Sequence, residues 1–307
     1  MASQQQGTHH FTPDPRNDDV LIYVNGDLLP RDKAMVSVFD SGFILGDGVW
    51  EGLRLHHGRL AFLDQHLKRL YQGAKAIDLD IGMTPEALTA ELQRTIDANA
   101  MTDEVHLRLM VTRGMKMTPY QDPRVNIGGA TIVIVPEYKT PSERVGGVRL
   151  FTVHVRRGPP DVQDPMINSH SKLNCITACI QAAKAGADEA LMLDPHGFVA
   201  TCNSTHFFIV RDGEVWTSTG RYCLHGITRG NILKVARDDG IAALEKDFSL
   251  TEVYDADEAF ITGTFAGVTP VSEIDGRTIG DGTPPGPMVR HLQDLYRALI
   301  DLECVAP

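Results

Sequence analysis

Several features are scarce in this chain, and each scarcity removes a class of function. Its 307 residues hold only five cysteines, Cys175, Cys179, Cys202, Cys223 and Cys304, with no CxxC pair and no ladder of spacings. That pattern offers neither zinc ligands nor a disulfide framework, and it fits a reducing, cytoplasmic setting. Cys175 and Cys179, one helical turn apart, read as small packed hydrophobes. No apolar run approaches the roughly 18 residues that a membrane helix needs. The start, MASQQQGTHHFTPDPRNDD, lacks a basic segment followed by an apolar one. It reads as a flexible polar leader over residues 1–19, in which His9 and His10 are a solvated pair rather than a metal site. Basic charge is short as well: 29 Lys and Arg against 40 Asp and Glu give a net charge of −11. Nucleic acid and anionic membranes are therefore poor partners, although net charge does not exclude a local phosphate pocket. No repeat of fixed period is evident.

What is present is the composition of a globular protein, 42% apolar and 22% charged. Periodicity places strands at residues 20–25, 36–39, 48–56, 105–112 and 130–135, and helices from Leu63 and from Pro85, the latter capped by Thr84. A polar stretch with Pro141, Gly146 and Gly147 reads as a linker over 138–147. Beyond it come strands at 148–155, 189–193, 206–211 and 258–261, and helices at 173–185, 226–238 and 287–302. Strands and helices in mixed runs, without regular βαβ alternation, indicate an α+β (mixed α/β) fold of two domains: 20–137, small, and 148–307, larger.

Three pieces carry candidate chemistry. Lys172, in Ile-Asn-Ser-His-Ser-Lys-Leu-Asn, stands where an irregular polar segment becomes a helix. A lysine in a pocket is a nucleophile toward carbonyl groups, whereas on a surface it is only a solvated charge. Gly226-Ile227-Thr228-Arg229 opens a helix, and Gly263-Thr264-Phe265-Ala266 ends a strand; free N–H groups and hydroxyls in such turns suit a phosphate dianion. The loop Gly46-Asp47-Gly48-Val49-Trp50-Glu51-Gly52 is tight and shaped, with an acid and an aromatic among its glycines.

In this order and spacing the pieces resemble the class IV, fold-type IV pyridoxal-phosphate aminotransferases, a group of branched-chain aminotransferases, D-amino acid aminotransferases and aminodeoxychorismate lyases. The likeness covers about residues 20–300. The Gly46–Gly52 loop and Val111-Thr112-Arg113-Gly114 are most similar to the D-amino acid branch. The resemblance implies that Lys172 binds the cofactor aldehyde as a Schiff base and then shuttles the proton. It further implies that Arg69 pairs with the 5′-phosphate, together with the Ile227 N–H, Thr228 and Thr264, and that the Thr264–Ala266 turn, with Phe265 and Ala266, lies beside the substrate carboxylate. Relatives are usually homodimers with the cofactor between two domains and a loop reaching the partner's site, for which Met115–Arg124 is the counterpart here.

The sequence also departs from the family. Where relatives carry a glutamate for the pyridine nitrogen, Thr201 stands, and a hydroxyl offers only a neutral hydrogen bond to a ring that must act as an electron sink. Asn174 follows Lys172 by two residues, fewer than is usual. Trp50 replaces Tyr or Phe, so its indole N–H or Arg124 is expected to meet the substrate carboxylate. The expected activity is amino-group transfer from an amino acid or amine to a 2-oxo acid such as 2-oxoglutarate. Hydrophobic, branched-chain donors are favoured by Phe43, Leu45, Trp50 and Phe265. Thr201 keeps two alternatives open: a lyase, racemase or decarboxylase on the same cofactor, or an inactive relative that only binds it.

Overall fold

Side chains two apart along a strand share a face, so Val49, Leu53 and Leu55 line up with Leu107, Leu109 and Val111 across a pair of neighbouring strands. These residues form the centre of one hydrophobic core in the computed structural model. The structure describes residues 7–8, 12–140 and 146–304. The chain divides into two units. The first is built on residues 12–140 and 167–172, the second on 146–166 and 173–302. The segment 167–172, expected within the C-terminal domain, thus packs with the N-terminal one.

In the first unit the elements are β1 (Leu21–Val24), β2 (Asp27–Pro30), α1 (Ser41–Leu45), β3 (Gly48–His56), β4 (Arg59–Leu60), α2 (Leu63–Ala76), α3 (Pro85–Ala98), β5 (Val105–Thr112), β6 (Met115–Lys116), β7 (Asn126–Ile127) and β8 (Thr131–Tyr138). Six strands make an antiparallel sheet in the order β2-β1-β8-β5-β3-β4. Leu67, Leu70 and Ala74 of α2 and Leu88, Leu92 and Ile96 of α3 cover one face, the spacing expected of amphipathic helices. By alternation the other face carries Trp50, Gly52 and Arg54 of β3 and Arg108 of β5.

Three expectations are corrected here. Residues 36–39 are not a strand. Val38 and Phe39 are exposed, and the Ser37 hydroxyl accepts from the Phe39 N–H, so the apolar run forms a turn with no ladder partner. The leader ends before residue 19. Pro15–Asn17 make a 3-10 turn, and buried Asn17 exchanges hydrogen bonds with the Tyr138 backbone (2.9 and 2.7 Å). Tyr138 itself closes β8, and residues 141–145 of the expected linker, like His9 and His10, lie outside the described residues.

The second unit contains β9 (Val148–Thr152), α4 (Pro160–Gln163), α5 (Leu173–Lys184), β10 (Glu189–Leu193), β11 (Val199–Cys202), β12 (His206–Arg211), β13 (Glu214–Thr217), α6 (Ile227–Asp238), β14 (Ala243–Glu245), α7 (Leu250–Tyr254), β15 (Glu258–Gly263), β16 (Gly267–Ile274), β17 (Arg277–Thr278) and α8 (Pro287–Cys304). Its nine strands form a mixed sheet, β11-β10-β9-β16-β15-β12-β13-β14, with β17 beside β16. Phe207, Ile209, Ile261 and Val271 lie in its core. Among the described residues no helix is long and apolar enough to cross a membrane, and all five cysteines are free.

A charged group sits inside the first core. Glu51 is fully buried on β3. Its carboxylate takes both Nε (2.8 Å) and one Nη (2.6 Å) of Arg69, and it lies 2.7 Å from Nδ1 of buried His66. Burial pushes the Glu51 carboxyl up, but the hydrogen bonds from His66 and Arg69 outweigh it and hold the group below its ordinary value. Burial pushes His66 down, so its neutral ring donates Nδ1–H to the carboxylate. Removing one partner of a buried ion pair costs about 3 kcal/mol or more. Glu51→Gln is therefore expected to lower unfolding free energy by about that amount in urea titrations. The folded carboxyl ionises below the unfolded one. Its contribution therefore stands above the ordinary value of 4.5 and fades as pH falls through the folded value. E51Q should flatten that part of the acid limb.

Candidate active site

Lys172 owes its position to a strand it does not belong to. Residues 168–171 run along the edge of β3: Ser169 bridges Val49, the Trp50 N–H donates to Asn168 O (3.0 Å), and the His170 N–H donates to Gly48 O (2.9 Å). Side chains add further bonds. The Trp50 indole N–H donates to Ser169 O (3.1 Å), Asn168 Nδ2 to Trp50 O (2.7 Å), and the Ser171 hydroxyl to Gly46 O (3.1 Å). Burial pushes His170 below its ordinary value, and its neutral ring reaches Val49 O with Nε2 (3.1 Å). The approach requires glycine at 48, where a Cβ would lie 2.5 Å from Val111 O and 3.1 Å from the His170 ring.

The Lys172 amine ends this stitched segment. Nζ donates to Asn168 Oδ1 at 3.1 Å and lies 5.5 Å from the centre of the Trp50 ring. The Arg108 guanidinium also lies on that ring, 4.0 Å from its centre. The lysine is therefore held beside an aromatic and a second cation, not waving on a surface. Trp50 behaves differently from expectation. Its indole N–H is committed to Ser169 O, so what it offers a ligand is the ring face.

Other expected residues of the first unit lie apart from this cluster. Arg69 is held by Glu51, as described above. Arg124 is 88% exposed in its side chain and paired with Asp122, which is drawn down to about 2 mainly by the Arg124 side-chain hydrogen bond. Phe43, on α1, is 71% exposed.

In the second unit the expected cofactor residues lie on linked elements. The N-terminus of α6 follows Gly226 without a side-chain cap, so its first N–H groups have no acceptor within the helix. Thr228 is buried, with its hydroxyl 3.3 Å from the Tyr296 hydroxyl. Ile227 is buried beside it. The Thr264–Ala266 turn joins β15 to β16, where Gly263 pairs Gly267, and Phe265 is buried while Thr264 and Ala266 are partly exposed. His206 ties these two turns together. It pairs with Thr262 in the sheet, its Nε2 is 2.6 Å from Leu224 O, and its ring lies so close to Gly226 that a Cβ there would meet it at 2.3 Å.

Thr201 is buried on β11 and donates its hydroxyl proton to Thr205 O (2.9 Å), which leaves its oxygen as an acceptor. The turn beyond it is anchored by buried Glu189. One of its oxygens accepts from the N–H and hydroxyl of both Ser204 and Thr205, at 2.8 to 3.0 Å. Thr205 in turn places its methyl 3.5 Å from where a Cβ on Gly263 would stand. Glu189, His206, Asn168 and Arg108 were not singled out by sequence. Glu189 and His206 look like ordinary strand ends, and Arg108 like a solvated strand residue; only Asn168 adjoined a flagged residue. No group of three or more His, Cys, Asp and Glu side chains among the described residues is placed to hold a metal ion.

Known proteins share the sequence pattern and the fold. The family model for class IV amino-transferases matches residues 48–274. Branched-chain-amino-acid aminotransferase-like protein 2 of Arabidopsis thaliana is 40% identical over 290 residues, 94% of this chain and 52% of that protein. The chain thus spans about half the length of that relative. D-alanine aminotransferase of Bacillus licheniformis is 32% identical over 273 residues, 89% of this chain and 94% of its own. Among solved structures, the branched-chain aminotransferase of the thermophilic archaeon Thermoproteus uzoniensis, with norvaline, superposes with a TM-score of 0.82 at 31% identity, over 92% of this chain and 95% of that one. By sequence and by fold, the chain belongs to the class IV aminotransferases, enzymes that work with pyridoxal 5′-phosphate.

Proposed function

We propose that the protein transfers the amino group of a hydrophobic amino acid, branched-chain ones foremost, to a 2-oxo acid such as 2-oxoglutarate, with Lys172 as the reactive amine. The observation that carries this reading is the hold on Lys172: the segment before it is hydrogen-bonded to a strand edge, and its amine donates to Asn168 beside an aromatic face that also carries Arg108. The branched-chain preference draws support from the names of the relatives and from the apolar residues Trp50 and Phe265.

The residues present suit a phosphate-bearing aldehyde. The uncapped α6 N-terminus, with the Ile227 N–H and the Thr228 hydroxyl, suits the phosphate, and Thr264 adds a hydroxyl from the neighbouring turn. Arg69, kept straight by Glu51, would add a cation. When bound, pyridoxal phosphate supplies the aldehyde that carries the amino group and a ring that takes up electrons from the substrate. Lys172 would then act at the substrate α-carbon, removing the donor's proton as a base in the first half-reaction and, in the second, giving a proton as an acid to the carbon that was the 2-oxo carbon of the acceptor. Thr201 offers the ring nitrogen a neutral oxygen in place of a carboxylate. Arg108, exposed above the Trp50 ring, is better disposed to accept a substrate carboxylate than Arg124, which is tied to Asp122. The apolar side chains exposed on the first unit, Met35, Val38, Phe43 and Met117, favour a homodimer that covers them, with the Met115–Arg124 loop contributing to the partner's site. The free cysteines agree with a cytoplasmic setting.

Lys172→Ala is expected to cut glutamate formation from L-leucine and 2-oxoglutarate by about a thousandfold, the scale of a lost proton-transfer group. Near-wild-type turnover in K172A would remove Lys172 from the chemistry. Thr201→Val keeps the shape and removes only a neutral hydroxyl. Its turnover should fall by no more than about tenfold, matching a hydrogen bond of about 1 kcal/mol; steady-state kinetics on the same substrates would read it.

A further inference from the structure

We infer that Asn168 is a positioning residue for the Lys172 amine, aiming it without fixing its charge. The inference rests on the reading of Lys172 as the reactive amine, and it assigns a task to a side chain that neither the motifs nor the turns singled out.

Asn168 is 6% exposed, and both ends of its amide are engaged. Nδ2 donates to Trp50 O at 2.7 Å, which fixes the orientation of the amide and turns Oδ1 toward Lys172. Oδ1 then accepts from Lys172 Nζ at 3.1 Å. The Asn168 backbone is fixed as well, its O accepting from the Trp50 N–H at 3.0 Å. A buried, firmly held acceptor is thus aimed at an amine at the end of a long, flexible stem. Without it the amine would lose this bond, and its stem would gain rotational freedom over the Trp50 face.

The chemistry of the acceptor matters as much as its place. An amine must be neutral to attack a carbonyl carbon and must pass through the ammonium form when it moves a proton. An amide oxygen is neutral and accepts from either form. A carboxylate at the same point would favour the ammonium. Further polar groups near the amine include His170, whose ring burial holds neutral and which feels Lys172, and Arg108, which shares the Trp50 ring. Asp40 also acts on His170, with its carboxylate already engaged by the Thr112 hydroxyl and the Gly42 N–H. Asn168 bonds to the amine itself.

The test reads the amine directly. The full-length protein, freed of bound cofactor, is pulse-labelled with acetic anhydride across a pH series, and modification of Lys172 is measured by peptide mass spectrometry against the exposed Lys184. In Asn168→Asp, the pH of half-maximal labelling of Lys172 should rise by about one unit or more, so that labelling at a fixed pH below it slows about tenfold. Lys184 should not change. In Asn168→Ser, whose shorter side chain withdraws the acceptor from the amine, Lys172 should label severalfold faster than in wild type. The cofactor-loaded enzyme should lose kcat with KM little changed. Unchanged Lys172 labelling in both variants would overturn the inference, as would unchanged labelling in N168S if N168D does not fold. Because labelling needs no cofactor, this outcome is separate from a failure of Lys172 as the reactive amine, which K172A turnover decides.

Discussion

The candidate site of the first unit depends on the hydrogen bonds that fasten residues 168–171 to the edge of Gly48–His56. That edge is open because Arg59–Leu60 pairs only with its last residues, Leu55 and His56. A segment from more than a hundred residues later fills its first residues, Gly48 to Trp50, satisfying backbone groups that would otherwise face solvent or be buried unpaired. Backbone bonds from Gly48 and Trp50 set the register. The Trp50 indole and the Asn168 amide lock it, and the glycines at 46 and 48 leave room for it. The consequence is chemical. Lysine is a poor choice for precision unless its stem is held, and here the backbone just before it is hydrogen-bonded to the edge of a sheet.

The second unit solves a different problem with similar means. The turn into α6 at Gly226 and the loop after Thr201 are each held by one neighbouring side chain. His206 braces the first against Leu224 and Gly226, while Glu189 gathers four donors from Ser204 and Thr205. Concentrating four donors on one carboxylate oxygen fixes the loop after Thr201 and leaves that threonine's hydroxyl bonded back to Thr205. Thr201 is therefore a settled neutral group; on the proposed reading, in which it faces the cofactor ring, the ring is expected to be a weaker electron sink than one paired with a carboxylate.

Much of this architecture was legible in the sequence, and the reasons for the rest are physical. Strands at 48–56 and 105–112 and the helices from Leu63 and Pro85 announce themselves, because burial on one face imposes a period that neighbours do not alter. The apolar stretch at 36–39 misled, since a strand needs a partner and composition does not reveal whether one exists. Lys172, Thr228 and Thr264 were visible as motif positions. The roles of Asn168, His206 and Glu189 were not, because they arise from contacts between residues far apart in the chain or from backbone atoms that no sequence pattern marks. Trp50 shows the intermediate case: it was expected to offer its indole N–H to a substrate, but the commitment of that N–H to Ser169 O depends on a pairing visible only in three dimensions.

The central claim is that Lys172 is the amine that meets the cofactor aldehyde. The most direct measurement is borohydride reduction of the purified protein with pyridoxal phosphate, followed by digestion and mass spectrometry of the modified peptide. The account predicts a single phosphopyridoxyl group on Lys172, in the peptide containing Asn168 and Asn174. A modified lysine elsewhere, or no stable modification at saturating cofactor, would contradict it.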